Sequence, residues 1–229
     1  MNLDHVLQRT DIWRAGRLPA QPAAVSSGFD VLDAELPGGG WPRGALTEIL
    51  LAQQGIGALR LLMPALSRLS QKEDRWICWV APPWIPYAPA LLGSGIDLSR
   101  VLLVHPKAQQ DGLWAIEQSL RSGTCSAVLA WPTADDGAVL RRLQLAAEAG
   151  DALGFLFRPQ RLAERPSPAA LRLQLHAQRG HDIAVSILKR RGGWSAGPFH
   201  LNPRQAHGQT LAVHSHATAA AGHFSSQWQ

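Results

Sequence analysis

Residues 27–60 read SGFDVLDAELPGGGWPRGALTEILLAQQGIGALR, and the fold turns on how this stretch is read. A turn-rich segment ends in Gly38, Gly39 and Gly40. Trp41-Pro42-Arg43-Gly44 leads into an apolar, strand-like run from Ala45 to Leu51, then a short loop with Gly55 and Gly57, then an apolar helix. Strand, glycine loop and helix in that order are the layout of a phosphate-binding loop. That chemistry needs a lysine for the β- and γ-phosphates and a Ser or Thr hydroxyl for magnesium, and neither follows this loop.

Working outward, apolar strands and helices alternate. The spacing predicts a helix over Ala58–Leu69, with Leu61, Leu62, Leu66 and Leu69 on one face, then a strand over Arg75–Val80. A short helix at Tyr87–Gly93, strands at Val101–Val104, Ser126–Trp131 and Ala152–Phe157, and helices at Asp111–Arg121 and Asp135–Ala149 complete the series. Short apolar strands alternating with helices imply a parallel sheet covered on both faces. After Phe157 the pattern changes. Leu171-Arg172-Leu173-Gln174-Leu175 alternates strictly, as a half-buried antiparallel strand does, and Ile183–Leu188 reads as its partner across Gly180-His181-Asp182.

The 229 residues fit one domain of generous size or one domain plus an extension. Three segments are expected: an N-terminal arm and linker over 1–25, anchored by Trp13; a core over 26–195 that includes the hairpin; and a basic, His-rich, disordered tail over 196–229. No apolar run reaches bilayer length and the N-terminus lacks an apolar signal core, so a cytoplasmic protein without membrane contact is expected. Cys78 and Cys125 sit in apolar strand-like runs and read as reduced core thiols. Charge is uneven. Through Phe157 there are 13 Lys and Arg against 15 Asp and Glu, and beyond it 9 against 2, with seven of the nine histidines in the last third. A basic C-terminal part suits an anionic partner, DNA first among them, or simply solvation.

Residues 27–159 resemble the RecA recombinase core. They resemble most the RecA-related ImuA family, with the division inhibitor SulA as a shorter relative. SGFDVLDAELPGGGWPRGALTEIL, YAPALLGSGIDLSRVLLV and ILKRRGGW carry the likeness. It implies an α/β fold: a RecA-like core with a mainly parallel sheet flanked by helices, plus a C-terminal β-hairpin. Placed on the RecA pattern, the loop's two glycines fall on Leu51 and Ile56, the lysine on Gly57 and the hydroxyl on Ala58, with Gly55 inside the loop. The catalytic glutamate falls on Pro83 and the metal-binding aspartate on Trp131. With every ligand missing, the resemblance implies a vestigial ATP site, no cofactor and no enzymatic activity.

Two other constellations stand out. Trp79, Trp84 and Tyr87, among Pro82, Pro83, Pro86 and Pro89, form a rigid loop at a strand's C-terminal end, where ligands sit in parallel α/β sheets. They suit either protein docking or the filling of an emptied pocket. Lys189, Arg190 and Arg191, with Trp194, suit either a DNA or phosphate contact or a solvated hairpin end.

The resemblance to ImuA implies a non-enzymatic adaptor of damage-induced translesion synthesis. Its partners would be an ImuB-like Y-family polymerase homologue, an error-prone DnaE-type polymerase and RecA, with DNA reached through the basic C-terminal part. The alternative implied by SulA is an SOS division inhibitor that binds the tubulin-like protein FtsZ. A working ATPase with unorthodox ligands is a third reading, which ATP binding would reveal.

Overall fold

The computed structural model describes residues 23–55, 57–133, 136–178 and 182–203. Most of the expected arm, with Trp13, and most of the expected tail lie outside them, as do Ile56 and part of the expected hairpin turn. Two short strands, β1 (Ala24–Val25) and β2 (Trp41–Pro42), pair antiparallel around helix α1 (Asp30–Glu35). Ser26 and Ser27 close this entry turn on Asp33: the Ser26 hydroxyl donates to one carboxylate oxygen at 2.6 Å and the Ser27 amide to the other at 2.7 Å. Gly40 is required here, because a Cβ would lie 2.3 Å from the Val25 carbonyl oxygen.

The remaining strands are β3 (Ala45–Leu51), β4 (Trp76–Val80), β5 (Val101–Val104), β6 (Cys125–Ala130), β7 (Leu153–Pro159), β8 (Leu171–Ala177), β9 (Ile183–Arg190) and β10 (Ala196–Leu201). They form one sheet in the order β10-β9-β8-β3-β7-β6-β4-β5. The helices are α2 (Ala58–Lys72), α3 (Ala88–Gly93), α4 (Gln109–Arg121) and α5 (Gly137–Gly150). Every residue of β3 is buried, as a central strand covered on both faces requires.

Alternation along the strands sorts the core into two layers. Ile49, Ile77, Leu129, Phe155 and Leu173 share one layer with Leu61, Leu62 and Leu66 of α2. Leu46, Cys78, Val128 and Leu156 share the other with Ile116 and Leu120 of α4 and Leu140 and Leu143 of α5.

The expected RecA-like core with a mainly parallel sheet flanked by helices is corrected here, while the hairpin closes one edge of the sheet within the core, as expected. The sheet is mixed. β3 through β8 pair parallel, while β8–β9 and β9–β10 pair antiparallel, so the hairpin strands belong to the same sheet. Leu171–Leu175 joins β3 directly and buries its alternate leucines in the first core layer, which makes the hairpin continuous with the core. Residues 196–201, expected in the tail, are its edge strand. The helical cover is also sparse, three helices of more than a dozen residues and two of six among the described residues.

One charge cluster inside this core escaped the sequence reading. Glu48 is fully buried in β3. Arg158 Nη1 donates to its Oε1 and Arg172 Nε to its Oε2, each at 2.6 Å, and the Ser167 hydroxyl donates to Oε1 at 3.0 Å. Arg172 also donates to the carbonyls of Leu162 and Ala163, at 2.8 and 3.1 Å. The carboxylate therefore fastens β7, β8 and the intervening loop to β3. A lone acid in an apolar strand was the available signal, since a buried charge needs partners.

Candidate functional site

β3 ends in Leu51, and the loop beyond it reaches α2 through Gly57. Gly57 is the residue before the helix and has φ 92°, a left-handed value that suits glycine. It supplies no side-chain oxygen to the first-turn amides, so those donors lack the usual side-chain acceptor. Across from the loop, β4 ends at Val80 and Ala81 takes φ 52°. A non-glycine residue there, just before a proline, is strained backbone. The Ala81 amide is held by the Val104 carbonyl at 2.9 Å, and the turn throws Pro82 to Pro86 over the sheet end.

Between these two loops lies a cavity of about 300 Å³. Its wall includes Gly55, Gly57, Ala58 and Arg60 on one side and Pro82, Pro83, Trp84 and Pro86 on the other. Trp79, Trp131 and Phe157 complete the lining. The Trp131 ring stacks on Phe157 with centroids 4.5 Å apart and planes 10° apart, and on Trp79 at 6.0 Å and 23°. The indole N–H groups of Trp79 and Trp131 are both buried without an acceptor.

Five of the residues singled out on the phosphate-loop pattern meet here: Gly55, Gly57, Ala58, Pro83 and Trp131. Leu51 is buried in the core and Ile56 lies outside the described residues. Of the three expected docking residues, Trp79 is 1% exposed and packs inside, while Trp84 and Tyr87 are 67% and 72% exposed. Ile85, which the sequence reading passed over, is exposed beside them. Phe157 and Arg60 were also missed. Phe157 reaches Trp131 across neighbouring strands, and no local spacing announces such a pair.

The basic segment at the end of β9 is turned back on the protein. Lys189 Nζ donates to the Ser167 carbonyl at 2.7 Å, and burial together with Arg172 pushes the Lys189 ammonium below its ordinary range. Arg190 donates to the Glu35 backbone carbonyl and carboxylate and to the Trp194 carbonyl. Arg191 reaches Glu148 at 3.4 Å. Trp194 is 88% exposed and projects from this turn. Among the described residues no cluster of His, Cys, Asp or Glu is arranged to hold a metal, and no helix is long and apolar enough to cross a membrane.

A family model described as "Cell division inhibitor SulA" matches residues 44–154, from the start of β3 into β7. The cell division inhibitor SulA of Photorhabdus laumondii is 36% identical over 125 residues, which cover 53% of this chain and 70% of that relative. The chain belongs to the SulA family. The SulA proteins of Edwardsiella piscicida and Serratia proteamaculans are both 33% identical, over 52% and 56% of this chain and 75% and 76% of theirs. A solved structure, SulA from Pseudomonas aeruginosa, is 30% identical over 49% of this chain and 97% of that chain, with a TM-score of 0.42.

Membership in the SulA family corrects the expected ImuA identity. It also removes the translesion-synthesis role, the partnership with an ImuB-like homologue, a DnaE-type polymerase, RecA and DNA, and the view of the chain as a decayed ATPase. The ILKRRGGW likeness lies beyond the matched residues, in β9 and the turn after it, which the family model does not cover. The glycine loop without phosphate ligands needs no lost nucleotide site to explain it in a family of division inhibitors. The protein is not an enzyme, in keeping with that family.

Proposed function

We propose that this protein is a cytoplasmic SOS division inhibitor that acts stoichiometrically by binding the tubulin-like division protein FtsZ. The observation that carries the reading is the similarity to the cell division inhibitor SulA across the segment that builds β3 to β7. Inhibition without chemistry requires a binding surface, and the loop after β4 supplies a candidate. Trp84, Ile85 and Tyr87 expose large apolar surface side by side, on a backbone stiffened by Pro82, Pro83, Pro86 and Pro89. Rigid aromatic residues of this kind dominate binding hot spots, because they bury much area at little cost in conformational entropy. Trp79 lies beneath them and fixes the platform rather than meeting the partner.

Induced expression in a rod-shaped bacterium tests the reading. Filamentous, undivided cells that retain normal nucleoid segregation are expected. Cells of normal length at high expression would sink it.

A further inference from the structure

The described chain ends at Pro203, at the end of the sheet that carries the proposed docking loop. β10 runs antiparallel to β9, and its last residue, Leu201, pairs with Ile183. Ile183 lies against Gly57, close enough that its Cδ1 would be 3.2 Å from a Cβ added there. Gly57 and Trp84 line the same cavity of about 300 Å³. Residues 204–229 therefore leave the fold one cavity's width from the exposed side chains of Trp84, Ile85 and Tyr87. The N-terminal residues join the fold at the other end of the sheet, where the Ala23 carbonyl accepts from the Arg43 amide just ahead of β3.

The two parts also match in composition. Residues 81–96, which carry the exposed rings, contain no charged side chain. Residues 217–229 contain no Asp, Glu, Lys or Arg, and they close on Phe224-Ser225-Ser226-Gln227-Trp228. Laying these two rings on the loop removes apolar area from water on both sides and desolvates no charge. Residues 1–22 would bring Asp4, Arg9, Asp11, Arg14 and Arg17 to the same face, at a desolvation cost. As a flexible chain, the 20 residues between Pro203 and Phe224 span roughly 25 Å, which is ample for the distance. A segment tethered so closely meets the loop at an effective concentration of about a millimolar, enough for even a weak contact to be populated.

We propose that Phe224 and Trp228 seat on Trp84, Ile85 and Tyr87 of the same chain and mask that face until the division partner displaces them. The masking rests on the docking reading above. The seat is a property of the isolated chain and does not depend on the partner.

NMR of the full chain with isotope-labelled tryptophan and a nitroxide attached at Gln229→Cys tests the seat. The Trp84 indole signal is expected to lose most of its intensity, and that of Trp194, beyond the far end of β9, to keep it. No loss at Trp84, or equal loss at both, would overturn the proposal. So would loss in a mixture whose nitroxide and isotope sit on different chains, which assigns the contact to a second copy. Phe224→Ala/Trp228→Ala is expected to abolish the effect at Trp84, and a persistent effect would show that these rings do not form the seat. The same variant without the nitroxide is expected to suppress FtsZ polymerisation at a roughly threefold lower concentration than the wild-type chain, as unmasking two-thirds of the molecules requires. Equal or weaker suppression would overturn the masking. If neither chain suppresses polymerisation, the inhibitor reading fails, and the Trp84 signal still decides the seat.

Discussion

Trp131 lies flat on Phe157, ring centroids 4.5 Å apart and planes 10° apart, at the end of the sheet where β6 and β7 run side by side. The pair, with Trp79, forms the floor on which the two flanking loops rest. Trp131→Ala is expected to destabilise the fold by about 3 kcal/mol, through lost burial and a cavity left beside two rings that cannot close over it. Urea unfolding followed by circular dichroism measures it. A change below about 1 kcal/mol would show that the stack is not a structural element.

Glu48 predicts a larger effect. Glu48→Ala leaves the guanidinium groups of Arg158 and Arg172 facing each other in the interior, at a cost of about 3–5 kcal/mol. Replacing all three with apolar residues of similar volume is expected to recover much of that loss. Denaturation midpoints of the single and triple variants decide it. A triple variant no better than Glu48→Ala would mean that packing, rather than uncompensated charge, dominates the site.

How far these features could be read beforehand varies with their physical origin. The strand at Ala45–Leu51 was legible because seven residues of a fully buried strand are apolar or small except one. The helix after it was legible from leucines at helical spacing. The mixed sheet was not, because strict alternation in Leu171–Leu175 shows a strand with two unlike faces and says nothing of which neighbour it joins. It joins β3 in parallel and β9 in antiparallel. The candidate site was half legible. The missing phosphate ligands could be read from single positions, and Trp84 and Tyr87 from their proline-rich setting. The Trp79–Trp131–Phe157 floor depends on register between strands far apart in sequence. The family is not legible in ILKRRGGW, which lies outside residues 44–154, the stretch that the SulA family model matches.

Gly57 offers a backbone test of the loop. Its φ is 92°, and a Cβ would lie 3.2 Å from Ile183 Cδ1. Gly57→Ala is expected to cost about 1–2 kcal/mol from the left-handed conformation, with some addition from that contact. Gly55→Ala has open space around its Cβ, so it carries the conformational cost alone. Thermal unfolding of the two variants gives the comparison, and equal shifts would remove the contact with Ile183 from the explanation.

The thiols give a pH signature. A hydrogen bond with Cys125 and burial together push the Cys78 thiol well above its ordinary range. Because the folded protein favours the protonated thiol, that contribution is complete below the unfolded value of roughly 8.5 and is lost as pH rises above it. The same interaction with Cys78 lowers the Cys125 thiol to about 7, which adds stability as pH rises from about 7 to 8.5, so stability is expected to peak near pH 8.5 and fall above it, and Cys78→Ala is expected to flatten the decline. Neither thiol is expected to react with a bulky disulfide reagent in the folded protein, since both are buried. Rapid labelling at neutral pH would contradict this.

The most direct measurement is light scattering of purified FtsZ polymerising with GTP in the presence of the purified chain. Polymerisation is expected to be suppressed as the chain approaches equimolar amount, and to be restored when Trp84→Ala/Tyr87→Ala replaces it, with the fold of that variant intact because both side chains are exposed. Polymerisation that proceeds unchanged at excess wild-type chain would contradict the inhibitor reading. Equal suppression by the double variant would contradict the docking surface assigned to it.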